Sequence, residues 1–159
     1  MRLLPIVVVC LALGCSKPVP PTIAPDSATV TAVDPQGIHL NVTLTATNTN
    51  SVDLPVQDVT AHVVLGPSLD LGTVTLPNAV NLPAGKATKL DLPIQVQWTD
   101  MVAVAQMAAN PAPVPFTVDG TVELGGPLLH VGVPFQINGS MTHDQLTTAV
   151  SRSVTRLLH

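Results

Sequence analysis

The segment GIHLNVTLTATNTN, residues 37–50, decides the fold of this chain. From Ile38 to Ala46 its side chains alternate without exception between apolar and polar. Successive side chains of a β-strand point to opposite faces, so the pattern predicts a strand with one buried face and one hydrated face. Strands of this kind belong to antiparallel sheets that pack face to face around an apolar core.

Six other segments carry the same signal, and they are residues 29–33, 56–65, 69–76, 90–98, 116–124 and 131–137. Within 69–76 the alternation slips at Gly72, as it does at a β-bulge. Turn residues, such as Pro83-Ala84-Gly85, separate the segments. Seven short alternating strands with turns between them predict an all-β fold, a seven-stranded antiparallel β-sandwich.

A short helix is predicted between two of these strands. Trp98 closes the alternating apolar row of 90–98, which favours packing in the core. Thr99 is the expected N-cap of a helix that runs from Asp100 to about Ala109, where Asn110-Pro111 ends it.

A second helix is predicted at the C-terminus. Thr142 and Gln145 have the spacing of a capping box at its start. Residues 141–159 are therefore expected to form an amphipathic helix that packs on the domain. The apolar residues on its predicted face are Leu146, Ala149, Val150, Val154, Leu157 and Leu158.

The N-terminal residues predict export and lipid attachment. Residues 1–14 join one positive charge to a short apolar core and end in Gly14 before Cys15, which is typical of a cleavable signal peptide. The sequence LALGC resembles the bacterial lipobox, in which this cysteine receives a diacylglycerol and becomes the new N-terminus. Cys10 follows a valine and is the weaker candidate. The alternatives are an ordinary secretory signal and a buried N-terminal helix.

Acylation of Cys15 predicts a mature protein that is held to a membrane by lipid alone, since two acyl chains suffice for stable attachment. Ser16 rather than Asp follows the cysteine, which favours the periplasmic face of the outer membrane if the cell has one. Residues 15–28 carry four prolines and are predicted to be a Pro-rich tether that lifts the domain by about 35–40 Å. The sandwich domain is expected to span residues 29–140.

Charge and cysteine content exclude several classes of function. The formal net charge is −4, and no Lys/Arg cluster is present, so a nucleic-acid partner is not expected. With Cys10 removed and Cys15 acylated, the mature chain has no free thiol for a disulfide, a zinc site or a nucleophile. No cofactor is predicted.

The five histidines do not predict a metal site. His39, His62 and His130 lie on different predicted strands, and none has a second ligand at metal-binding spacing. His143 and His159 belong to the C-terminal helix.

Nor does the chain carry the marks of an enzyme. It lacks a Gly-x-Ser-x-Gly elbow and a recognisable Ser/His/Asp set. Asp119 and Glu123 share one face of a predicted strand, which is more typical of a solvated surface than of a glycosidase pair.

The order of five segments resembles the late embryogenesis abundant group 2 family, also called the water stress and hypersensitive response (WHy) domain. The segments lie within residues 29–140 and are LNVTLTATNTN, VQDVTAHVVLG, the LPAG turn, KLDLPIQVQW leading into a helix, and the strand pair PFTVDGTVEL with VPFQINGSM. The family usually has Asn-Pro-Asn where this chain has Asn48-Thr49-Asn50. The two flanking asparagines, which tolerate left-handed turn conformations, are retained.

The resemblance implies an immunoglobulin- or fibronectin III-like sandwich without catalysis, associated with desiccation and other stress. Bacterial members of the family are often lipoproteins. We therefore expect a membrane-anchored protective or chaperone-like module that acts on protein clients. The alternative is a structural or adapter lipoprotein that binds an envelope partner through a sheet edge.

Overall fold

The computed structural model describes residues 18–77, 80–126 and 129–157. The predicted signal peptide and the lipidation pair, Gly14 and Cys15, lie outside the described residues. The elements in chain order are β1 (Thr22–Val33), β2 (Gly37–Thr47), β3 (Leu54–Leu65), β4 (Leu69–Pro77), β5 (Asn81–Leu82), β6 (Ala87–Gln97), α1 (Met101–Ala108), β7 (Val114–Gly126), β8 (Leu129–Met141) and α2 (His143–Leu157).

The strands form two antiparallel sheets, which confirms the predicted all-β sandwich. One sheet has the order β1-β2-β6 and the other β4-β3-β7-β8, with the two-residue β5 paired to the start of β3. The predicted helix between strands and the C-terminal helix are both present. The seven predicted strands are all found, and β5 is the addition.

The alternation of β2 decides which of its residues form the core. Val42 and Leu44 are fully buried, whereas Thr43 between them is partly exposed. Leu44 lies opposite Leu90 of β6, so the two strands contribute to the same apolar layer. Trp98 packs partly buried against this core, as expected, and its indole N–H donates to the Asp34 carbonyl at 3.0 Å.

The two phenylalanines of the chain each lie opposite a glycine on the neighbouring strand. Phe116 of β7 pairs with Gly139 of β8, and Phe135 of β8 pairs with Gly120 of β7. A Cβ on Gly120 would lie 2.8 Å from the Phe135 ring, and one on Gly139 would overlap the Phe116 ring. Each ring therefore occupies space that a side chain on the facing strand would need.

Strand β1 begins earlier than the sequence pattern indicates. Thr22 pairs with Thr47 of β2, so residues 22–28 of the predicted tether belong to the sheet. The register shifts just after Pro25, and β1 is an edge strand, which is where proline is tolerated in a sheet. This corrects the predicted tether of residues 15–28, since the spacer ends before Thr22.

The N-cap of α1 is also corrected by one residue. Asp100 has extended backbone angles, φ −148° and ψ 99°, and its Oδ1 accepts the N–H groups of Val102 at 2.9 Å and Ala103 at 3.1 Å. The Thr99 hydroxyl instead donates to the Asp70 carbonyl at 2.7 Å. Both residue types cap helices, but the carboxylate is the one placed over the free N–H groups.

The capping box of α2 is confirmed. The Thr142 N–H donates to Gln145 Oε1 at 2.8 Å, and the Gln145 N–H donates to the Thr142 hydroxyl at 3.3 Å. The helix packs on α1 and on β1 and buries Leu146 and Ala149. Val154 is 51% exposed, so the predicted apolar face is not buried along its whole length. The predicted bulge at Gly72 is present, with φ +92° and a register shift opposite it.

Candidate functional site

Asn48 is the one buried residue with a polar side chain in the part of the chain that the structure describes. Its Nδ2 donates to the carbonyls of Val52 and Leu82, both at 2.9 Å. Its Oδ1 accepts the backbone N–H of Asn50 at 3.0 Å and the Asn50 Nδ2 at 2.9 Å. A primary amide offers two donors and two acceptor sites, so the hydrogen-bonding capacity of Asn48 is fully used.

These bonds fasten the loop after β2 to the turn before β6. The Asn48 N–H donates to the Lys86 carbonyl at 3.0 Å, and the Asn50 carbonyl accepts the Gly85 N–H at 3.1 Å. Asp53 Oδ1 accepts the Ala84 N–H at 2.9 Å. Two segments more than thirty residues apart are thus held as one unit.

Asn50 extends the network to the N-terminal segment. Its Oδ1 accepts the Val19 N–H at 2.7 Å, and its Nδ2 donates to the Val19 carbonyl, also at 2.7 Å. The carboxamide thereby pairs with the Val19 backbone as a neighbouring strand would. We call Asn48, Asn50 and the backbone groups that they bind at Val19, Val52 and Leu82 the Asn48 cluster.

The predicted turn Asn48-Thr49-Asn50 therefore lies where expected, between β2 and β3, but its asparagines act differently from the expectation. Positive φ angles among the described residues occur at glycines alone, so neither asparagine adopts a left-handed conformation. Their side chains are used for hydrogen bonds instead. Thr49 is exposed.

A second polar cluster centres on His62 of β3. Its Nδ1 lies 3.2 Å from Asp119 Oδ1 on β7, and its Nε2 lies 3.0 Å from Asp70 Oδ1 on β4. We call His62, Asp70 and Asp119 the His62 cluster. Neither carboxylate was predicted as a partner of His62, because both are brought to it by cross-strand pairing rather than by local spacing.

The charges in the His62 cluster favour a protonated ring. The hydrogen bond to Asp119 raises the pKa of His62, and Asp70 acts in the same direction, while partial burial opposes them. The backbone N–H of Gly72 is the largest cause that lowers the pKa of Asp70, followed by His62. With both ring nitrogens protonated, His62 donates to one carboxylate on each side.

This geometry links strands and does not assemble a metal site. Because the two nitrogens of an imidazole point away from each other, Asp70 and Asp119 approach different edges of the ring. Within residues 18–77, 80–126 and 129–157, no group of three His, Cys, Asp or Glu side chains could hold a metal ion.

His39 takes part in a smaller contact at the turn between β1 and β2. Its Nε2 lies 2.7 Å from Asp34 Oδ2, while Asp34 Oδ1 accepts the N–H groups of Gln36 at 2.7 Å and Gly37 at 2.8 Å. These hydrogen bonds, that of His39 first, lower the pKa of Asp34, and its partial desolvation opposes them. The contact stabilises the turn.

The remaining histidines and the acidic pair are not brought together. His130 is exposed, and His143 Nδ1 lies 3.2 Å from the Asn110 carbonyl. His159 lies outside the described residues. Asp119 belongs to the His62 cluster, while Glu123 faces Asp58 and Gly132 in the strand register.

No helix in the described part of the chain has both the length and the apolar character that a membrane span requires.

Solved structures share this fold. A solution structure of a protein from Arabidopsis thaliana matches with a TM-score of 0.65 and 15% identity over 84% of this chain and 89% of that chain. A crystal structure of a protein from Archaeoglobus fulgidus matches with a TM-score of 0.59 and 12% identity over 75% of this chain and 97% of that chain. A solution structure described as a late embryogenesis abundant protein matches with a TM-score of 0.63 and 16% identity over 79% of this chain and 74% of that chain.

At these identities, the likeness to solved structures shows the fold alone. No curated protein sequence matches the chain significantly. The family model described as late embryogenesis abundant protein matches residues 43–139, which is more than half of the chain and includes both asparagines of the turn. The chain therefore belongs to the late embryogenesis abundant type 2 family.

Proposed function

We propose that the protein is a lipid-anchored, non-enzymatic module of the cell envelope that protects proteins or surfaces during water loss. The family match over residues 43–139 is the observation that carries this proposal. The family is generally non-enzymatic, and the two polar clusters of the described residues have geometries suited to joining chain segments.

The outer faces of the sandwich support a role under drying. Polar side chains on neighbouring strands bind each other there: Thr43 donates to Asp91 at 2.7 Å, and Thr117 donates to Asn138 at 2.9 Å. Within the described residues, every buried side-chain nitrogen and oxygen has a hydrogen-bond partner. Polar groups that are hydrogen-bonded within the protein keep a partner when water is removed, which lowers the free-energy cost of dehydrating the folded state.

A module of this kind acts by its surface and not by turnover. We expect the non-acylated Cys15→Ser chain, without its signal peptide, to protect a dried client enzyme at near-stoichiometric ratios only. EDTA and thiol reagents should leave the protection unchanged. Protection at strongly substoichiometric ratios, or its loss with EDTA, would contradict the proposal.

Anchoring is proposed through a diacylglycerol on Cys15, in the outer membrane where the cell has one, because Ser16 follows the cysteine. Cys15→Ser removes the thiol that accepts the lipid, so the variant should lose a palmitate label and leave the membrane fraction. Cys10→Ser is the matched control and should retain both. Acylation of the Cys15→Ser variant would show that the lipid is attached elsewhere.

The adapter alternative requires a free sheet edge, and the edges of this sandwich flank each other. Strand β1 lies beside β8, and β4 lies beside β6. A Cβ on Gly139 of β8 would lie 2.8 Å from the Ala28 carbonyl of β1, so these two backbones are in close contact. A partner strand at that edge would have to displace β1, which favours the protective function.

A further inference from the structure

We infer that the Asn48 cluster holds one end of the sandwich, the end at which the cluster lies, against the lipid headgroups. This inference rests on the proposed acylation of Cys15. The occupant of that surface is the phospholipid headgroup layer to which Cys15 is attached. The pairing of Asn50 with Val19 fixes the point at which the chain leaves the domain towards its anchor.

The pairing restrains a segment that has few other ways to bind. Residues 18, 20 and 21 are prolines, so the Val19 N–H is the one amide donor between Lys17 and Thr22. That donor and the Val19 carbonyl are both bound by Asn50 at 2.7 Å. Pro21 is buried, so the chain between Val19 and the start of β1 is also held against the domain.

The linkage between lipid and domain is short in consequence. Residues 16–18 alone separate Cys15 from the paired Val19, and the four steps between these two residues reach about 12–14 Å at about 3.1–3.6 Å per residue. If β1 pairing alone held the chain, the seven steps from Cys15 to Thr22 would reach about 22–25 Å. An 11-residue strand such as β2 is longer than either, at about 36 Å. A domain that is held this closely at one end cannot turn over to place its other end against the membrane surface.

The side chains at that end fit a headgroup layer. Val19 is 57% exposed and Val52 is 52% exposed, and the backbones of both bind the asparagines of the cluster. Lys86 and Asp53, both exposed, lie in the two fastened loops and offset each other in charge. Attachment therefore depends on the short linkage and on two apolar contacts, with little contribution from net charge.

The opposite end carries charges of both signs. There the chain has the helices and the turn between β1 and β2, with the carboxylates of Asp34, Asp100 and Asp144 and the guanidinium of Arg152, which donates to the Val33 carbonyl at 2.8 Å. The orientation therefore rests on the short linkage and not on charge. Val102 of α1 is 67% exposed at this end and provides a matched position for comparison with Val52.

The orientation can be measured on the full acylated chain in vesicles of phosphatidylethanolamine and phosphatidylglycerol. Val52→Cys and Val102→Cys each introduce one free thiol, since Cys10 leaves with the signal peptide and Cys15 is acylated. Energy transfer from a thiol-bound donor to headgroup-labelled lipid gives the distance of each end. We expect the donor at 52 to be closer than that at 102 by about 30 Å, most of a strand length.

Two variants test whether the Asn48 cluster is the cause. Asn50→Ala removes both bonds to Val19, whereas Val19→Pro removes one N–H and leaves the loop of residues 48–53 intact. Each variant should increase the mean distance between the donor at 52 and the lipid and widen the distribution of that distance. Val19→Pro should do so without a change in the loop. Unchanged distances in both variants would overturn the role of the pairing.

The test separates this inference from the anchoring on which it rests. A palmitate label on the same samples reports acylation directly. Acylated protein with equal distances for the two donors, or with 102 closer, would overturn the orientation while anchoring stands. Absence of the label would overturn both.

Discussion

The Asn48 and His62 clusters both join distant segments by side-chain hydrogen bonds, yet they differ in burial and in charge. Asn48 is fully buried and neutral, and each of its four bonds is made to a neutral group. His62 is partly exposed and lies between two carboxylates. A buried donor leaves buried acceptors unpaired when it is removed, whereas an exposed ion pair is replaced by water. The neutral cluster should therefore stabilise the fold more than the charged one.

The aliphatic core sets the scale for both clusters. Leu44 is fully buried, so Leu44→Ala should lower the free energy of unfolding by about 2–5 kcal/mol, through lost burial and the cavity that remains. Thr43→Ala on the opposite face, where the hydroxyl binds Asp91, should cost less than about 1 kcal/mol. Urea unfolding measures both values. Equal midpoints would contradict the inward and outward assignment of β2.

Removal of the buried amide tests the stronger cluster. Asn48→Ala leaves the carbonyls of Val52 and Leu82 without their donor, and we expect a loss of about 2–4 kcal/mol in urea unfolding. Thr49→Ala, at the exposed neighbouring position, is the control and should stay within about 0.5 kcal/mol of the parent. Similar values for the two variants would remove the distinction between buried and exposed turn residues.

The outer residue of the same cluster should matter less for stability. Asn50→Ala removes the two bonds to Val19, which lie at an exposed position where water can replace them. It also removes the bond from Asn50 Nδ2 to Asn48 Oδ1, which keeps the backbone N–H of residue 50 as a donor. We expect a loss of about 1 kcal/mol in urea unfolding. A loss as large as that of Asn48→Ala would mean that the N-terminal segment is part of the core.

The His62 cluster should give the smallest effect and the one that depends on pH. Because the pKa of His62 is raised, its contribution is fully present below its ordinary value of 6.5 and is lost as pH rises through the folded value. The pKa of Asp70 is lowered, so its contribution is present above 3.8 and is lost as pH falls through the folded value. The window of stabilisation therefore lies between the two folded values.

His62→Gln should cost less than about 1 kcal/mol at about pH 5.5 and still less at about pH 8.5. Asn48→Ala is the matched control, and its cost should be the same at both pH values, because its partners do not titrate in this range. Urea unfolding of the parent protein and of both variants at the two pH values measures these costs. A pH-dependent cost for Asn48→Ala, or a constant one for His62→Gln, would contradict the comparison.

Local periodicity was sufficient to predict most of the fold. The alternation of residues 38–46 predicted which side chains of β2 are buried, since one face of each sheet packs on the core. The early start of β1 was not predicted, because prolines at 18, 20, 21 and 25 are typical of a spacer. An edge strand accepts proline where its missing N–H faces away from its partner, and only the pairing with β2 reveals this.

The clusters were harder to predict, because their partners are distant in sequence. The turn at Asn48 was expected from its residue types, but its bond to Leu82 spans 34 residues and depends on how two loops meet. Likewise, Asp119 lies 57 residues from His62 and becomes its neighbour through the β3–β7 register. Residue types indicated a turn and a surface histidine, while the register determined what each one binds.

The Asn48 cluster is proposed to fix where the chain leaves the domain, and amide hydrogen exchange at Val19 tests this role most directly. Between Lys17 and Thr22 this is the one backbone N–H, so its NMR signal reports on the pairing alone. We expect exchange at least about tenfold slower than in an unstructured peptide, which corresponds to about 1.4 kcal/mol. Asn50→Ala should abolish this protection. Exchange at the unprotected rate in the parent protein would contradict the claim.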